Sequence, residues 1–127
     1  MPEKHLYEYA VIRYVPRVER EEFVNVGLVM MCKRRRWARV ELLVDPVKIG
    51  VFGGAVAIDE IEHQLSAYKL IGEGHPSGGP MAALPVEERF RWLTAVKSCC
   101  IATSRPHPGL TDDLDAAFCR LFTELVL

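Results

Sequence analysis

The chain has 127 residues, a formal net charge of −1, half its residues hydrophobic and about a quarter charged. That size and balance fit one globular domain spanning residues 1–127, whose core needs no disulfide or metal. They exclude a global electrostatic field for nucleic acid or an anionic membrane, and recurrent apolar residues exclude disorder. No apolar run approaches the roughly 18 residues of a spanning helix, and MPEKHLYEY at the start lacks the apolar core of a secretory signal, so a cytoplasmic protein is expected.

Leu6 to Val15 alternates as a strand, with apolar groups on both faces, so an interior place in a sheet is expected. Pro16, without an N–H donor, is read as its end. The charged Arg17–Glu22 connection turns the chain back. Phe23–Cys32 is the next strand, with Val24, Val26, Leu28, Met30 and Cys32 as one apolar face. Gly27 inside it implies a bulge or a close approach, and Asn25 needs a hydrogen-bond partner if buried. Lys33–Arg36 is a cationic hairpin tip. Trp37–Val44 then alternates as a half-buried strand, with Ala38, Val40, Leu42 and Val44 inward and Trp37, Arg39 and Glu41 outward.

Val47–Ala57 is apolar but broken by Gly50, Gly53 and Gly54, which predicts a short helical turn and a loop. No G-K-[ST] follows, so this is not a phosphate loop. From Ile58 the period becomes helical: Ile58, Ile61, Leu65 and Tyr68 share a stripe, Asp59 is the expected N-cap and Gly72 the stop. Gly72–Leu84, rich in glycine and proline, is read as a surface loop. Pro85 opens a second helix with Glu87 and Glu88 in its first turn and Val86, Phe90 and Leu93 on its stripe. Ser98–Ser104 is a fourth strand expected beside the first, ended by Arg105-Pro106-His107-Pro108-Gly109 because prolines cannot sit in a central strand. Thr111 or Asp112 is the expected cap of the last helix, Asp112 and Asp115 having capping-box spacing. Leu114, Ala117, Phe118, Leu121, Phe122 and Leu125 form its apolar face. The pattern predicts an α+β fold: an antiparallel sheet of three to four strands with about three helices packed mainly on one face.

These residues also carry a resemblance. YEYAVIRYVP at Tyr7–Pro16, EREEFVNVG at Glu19–Gly27, ERFRWLTA at Glu88–Ala95, SRPHPGLT at Ser104–Thr111 and the closing LFTELV are similar to a small bacterial family of unknown function, domain number three-zero-three-seven. The resemblance covers nearly the whole chain, least over Val47–Ala83. It supplies no activity, and it implies a kinase-like neighbour of the persistence-toxin type as a protein partner. Cys99-Cys100 stand where the family tends to have a small residue pair such as Ser-Thr, so a function that depends on a hydroxyl at position 99 is in doubt.

No catalytic motif is present. Cys32, Cys99, Cys100 and Cys119 have no C-x-x-C or zinc spacing and read as reduced apolar side chains; neither metal nor cofactor is expected. Arg20, Asn25 and Gly27 are one candidate site, either an anion-binding corner or a structural tie in which Asn25 serves the backbone and Gly27 makes a bulge. Arg89, Ser104, His107 and Thr111 are a second, with His107 as acid/base or, in the plainer reading, a turn residue. A thiolate at Cys99 or Cys100 paired with His107 is a weaker variant. Asp112, Asp113 and Asp115 disfavour an anion at the last helix start. Lys33, Arg34, Arg35, Arg36, Trp37 and Arg39 could hold phosphates and stack a base, or form a solvated turn. The leading expectation is a protein-interaction or regulatory module; a nucleotide- or phosphate-handling enzyme and a nucleic-acid binder are the alternatives.

Overall fold

A computed structural model describes residues 3–17, 22–50, 58–95 and 101–127. Strands β1 (His5–Arg17), β2 (Glu22–Cys32) and β3 (Trp37–Leu42) form the expected antiparallel meander. α1 (Pro46–Gly50) and α2 (Ile58–Gly72) follow, then two short 3-10 turns, α3 (Val86–Ala95), β4 (Ile101–Thr103), β5 (His107–Thr111) and α4 (Leu114–Leu125). The sheet runs β3-β2-β1-β4, with β5 also paired to β1. The long first strand therefore hosts two short ones on its free side: β4 opposite Ile12–Tyr14 and β5 opposite His5–Tyr9.

The α+β class is as expected, and the differences are local. β5 overturns the reading of Arg105–Gly109 as a strand terminator. It lies on the sheet edge, and the direction of its prolyl nitrogen follows from β1. Val11 turns both its N–H and its C=O toward Ser104, so alternation aims Tyr9 and Tyr7 at His107 and Gly109. Pro108 then points its nitrogen outward, where no ladder bond is lost. Pro16 likewise lies inside β1 rather than at its end, within the register irregularity between Tyr14 and Arg17. Asp59 falls inside the first turn of α2, which begins at Ile58. Gly72–Leu84 is not a plain loop: its turns span Pro76–Gly78 and Pro80–Ala83, the first capped by His75 Nδ1, which accepts from the Ser77 N–H at 3.1 Å. The cap of α4 is Asp113, one residue beyond the expected Asp112, because β5 carries the chain to Thr111; its carboxylate accepts from the Ala116 N–H at 3.1 Å.

A bulge organises the core. Ile12 faces Gly27 while Arg13 faces Asn25, so Val26 is an extra residue in β2. The extra residue inverts the side-chain alternation. Val24 and Val26 join one core cluster, and Leu28 and Met30 join the other, so the single apolar face read from the sequence is split between two. Gly27 meets its close approach as well: a Cβ there would lie 2.8 Å from Leu42 Cδ2 and 2.9 Å from the Glu41 carbonyl.

The larger cluster joins Ala10, Ile12, Tyr14 and Val29 of the sheet to Ile61, Leu65 and Tyr68 of α2 and Phe90 and Leu93 of α3. The smaller joins Tyr7, Val11, Leu28 and Met30 to Ala117, Phe118 and Leu121 of α4. Helices α2 and α3 thus share one face of the sheet and α4 takes the other. Trp37, expected to face solvent, is half-buried against the α4 cluster. Among the described residues no helix is long and apolar enough to cross a membrane.

Candidate functional site

The residues singled out in the sequence do not form one cleft, and Asn25, Ser104 and Thr111 bond the protein's own backbone. Ser104 is buried; its Oγ accepts from the Val11 N–H at 2.9 Å and donates to the Arg105 carbonyl at 3.1 Å. With the Ser104 N–H on the Val11 carbonyl at 2.8 Å, this side chain continues the ladder across the gap between β4 and β5. Thr111 Oγ1 accepts from the Asp113 N–H and donates to the Asp113 carbonyl, both at 3.1 Å, and so shapes the approach to α4. His107 is exposed and its ring lies against Tyr9, centroids 5.4 Å apart. Asn25 Nδ2 donates to the Leu125 carbonyl at 2.8 Å, tying β2 to the last turn of α4, while its buried Oδ1 finds no partner among the described residues.

Asn25 and Thr111 therefore sit at opposite ends of α4. Twelve residues of helix separate them by about 18 Å. That is too far apart for one small ligand. Arg20 lies outside the described residues, as do Cys99 and Cys100, so the anion corner built on Arg20 and the thiolate variant rest on positions the structure does not describe. Cys32 is buried and Cys119 exposed, both as free thiols. Among the described residues no three His, Cys, Asp or Glu side chains gather as a metal site.

The cationic hairpin is split by strand geometry. Its tip turns at Arg36, whose φ of 51° lies in the left-handed region, with the Arg36 N–H on the Lys33 carbonyl at 3.1 Å. Trp37 and Arg39 point to the α4 face. There Arg39 pairs with Asp115 at 3.1 Å and Glu41 at 3.8 Å and lies 4.5 Å from the centre of the Phe118 ring. Arg34 reaches Glu3 at 3.8 Å, while Arg35 borders a small hollow with His5, Trp37, Asp112 and Asp115. The six residues expected to act together on nucleic acid thus belong to different surfaces.

Lys33 and Arg36 instead meet Arg89. With Ala83, Pro85, Val86 and Glu87 they line an open cleft of about 540 Å³ between the β2–β3 turn and the start of α3. Arg89 is held from below: Nη1 donates to the Leu84 carbonyl at 2.7 Å and Nε to the Gly72 carbonyl at 3.4 Å. Gly74, at a φ of 72°, lets the chain pass over the guanidinium, since a Cβ there would lie 3.1 Å from Arg89 Cζ. Partial burial lowers the Arg89 pKa from its ordinary value and Glu87 opposes the shift, but a guanidinium stays charged at neutral pH. Sequence reasoning placed Arg89 in one candidate site and Lys33 and Arg36 in another. Nothing in their spacing reports the convergence, which depends on α3 docking against the hairpin.

A second surface was not anticipated. Leu6 and Leu110 are directly opposed in the β1–β5 ladder and are 63% and 66% exposed.

The family described as "Protein of unknown function (DUF3037)" matches residues 9–126, and the chain belongs to it. No curated protein and no solved structure matches the chain.

Proposed function

We propose that this family member is a non-catalytic interaction module that docks a protein partner at the β1–β5 corner of its sheet. The observation that carries the reading is the exposed Leu6–Leu110 pair. Two large aliphatic side chains stand side by side at a strand pair on the sheet edge, where a partner would remove them from water. The uses found for Ser104, Thr111 and the Asn25 Nδ2 agree with it, because these groups serve the protein's own backbone. A kinase-like protein, the neighbour implied by the family resemblance, is the first partner to test, and control of its activity is the role proposed.

Co-expression followed by size-exclusion chromatography with light scattering tests the reading. A stoichiometric complex is expected, lost in Leu6→Lys/Leu110→Lys while the free protein keeps its melting temperature. A complex untouched by that double substitution removes the surface from the argument. Recovery from the native cell with no stoichiometric protein partner removes the function.

A further inference from the structure

The cleft at the start of α3 gathers more cations than carboxylates. Lys33, Arg36 and Arg89 line it, and none of the three makes an ion pair among the described residues, whereas Arg34 and Arg39 of the same hairpin do. Arg89 is already positioned by the Leu84 and Gly72 carbonyls through Nη1 and Nε, and Nη2 has no acceptor among the described residues. A guanidinium fixed before its ligand arrives loses little further freedom on binding. Pro85, the residue before α3, has no side-chain oxygen, and among the described residues no acceptor is found for the Val86 and Glu87 N–H groups at the positive end of the helix dipole. Glu87 is the opposing charge on the lip, so three cations face one carboxylate.

We propose that this cleft binds a phosphate monoester or diphosphate carried by a small organic molecule. Ala83, Pro85 and Val86 form an apolar wall beside the cations, which suits a carrier group next to the phosphate. A nucleic-acid strand fits less well. The aromatic side chain it would stack on, Trp37, packs with the α4 cluster on the other face, and Arg39 is held by Asp115 and Phe118. The site shares no residue with Leu6–Leu110, so either proposal can fail alone.

Calorimetric titration of the full chain at low ionic strength, with inorganic phosphate, pyrophosphate and AMP as probes, tests it. Saturable one-to-one binding that weakens with added salt is expected. Lys33→Ala and Arg36→Ala, both exposed in the turn, should each weaken it about threefold to tenfold without changing the melting temperature. Arg89→Lys keeps the charge but loses the planar fork and should weaken it similarly, while Glu87→Gln should tighten it. AMP binding tighter than inorganic phosphate supports the organic carrier, and AMP binding no tighter than phosphate overturns it. No saturable heat with any probe, or binding that survives Lys33→Ala/Arg36→Ala, overturns the site. A single strand that binds more tightly than pyrophosphate and is released by Trp37→Ala assigns the surface to nucleic acid instead.

Discussion

On one face of the sheet, α2 and α3 cover a cluster that runs from Ile61 and Leu65 through Phe90 and Leu93 to both central strands. On the other, α4 is the one helix among the described residues over Tyr7, Val11, Leu28 and Met30, and polar contacts hold it along its length. Asp113 caps its start, Arg39 reaches Asp115 and Phe118, and its end is tied by Asn25 to the Leu125 carbonyl and by Lys48 Nζ to the Val126 carbonyl at 3.2 Å. The difference teaches where each helix gets its orientation. Two helices wedged against each other and a sheet are oriented by packed volume, with bonds such as Arg89 Nε to the Gly72 carbonyl and Thr103 Oγ1 to the Thr94 carbonyl added to it, whereas a single helix on a sheet relies more on the directional bonds at its ends.

The largest expected effect is in the shared core. Leu93 is fully buried, and Leu93→Ala should cost about 3–4 kcal/mol in urea unfolding, against about 2–3 kcal/mol for Leu121→Ala, whose side chain is 7% exposed at the rim of the α4 cluster. Equal losses would break the contrast between the faces. Asn25→Ala should cost less, about 1 kcal/mol, because one hydrogen bond to a helix-end carbonyl is lost and an unpartnered amide oxygen leaves with it. Its signature is local: hydrogen exchange should quicken in the last turn of α4 while α3 is unchanged. Matching changes in both helices would mean that the ends of α4 are not held as described.

The smallest effect is expected at Tyr68, on the α2 side. Its hydroxyl is buried with no partner among the described residues, so Tyr68→Phe should stay within about 1 kcal/mol of the parent at neutral pH. Burial raises the Tyr68 pKa, so above about pH 10 the unfolded chain releases this proton before the folded one does. Stability should therefore fall as pH rises past that point, and less steeply in Tyr68→Phe. An identical alkaline slope in the two proteins would place the hydroxyl in water.

Much of the fold was legible because its signals are local. Alternation over Leu6–Val15 and Trp37–Leu42, the 3.6-residue stripe of Ile61, Leu65 and Tyr68, and Glu87–Glu88 after Pro85 each report a periodicity or a helix end that a neighbour in sequence suffices to specify. Gly27 was legible for the same reason: a glycine inside a strand marks a bulge or a close approach, and here both occur. Position in the sheet was legible only in part: the interior place of β1 with β4 beside it was expected, the edge place of β5 was not. Pro108 breaks a strand only where its nitrogen faces a neighbour, and the sequence does not say that β5 is an edge. The site was the least legible part. Ser104 reads as a hydroxyl beside His107 in a candidate site until Val11 is seen beside it.

The α+β class, the antiparallel meander, the family and the chemistry-bearing residues are written in the chain itself, since propensity, periodicity and capping act over a few residues. Tertiary structure decided how those residues are used. The extra residue at Val26 redirects one strand face into two cores, the pleat sends Trp37 and Arg39 away from Lys33 and Arg36, and the docking of α3 brings Arg89 to the latter pair. Each depends on which element lies opposite, a long-range fact fixed by packing that local sequence does not carry.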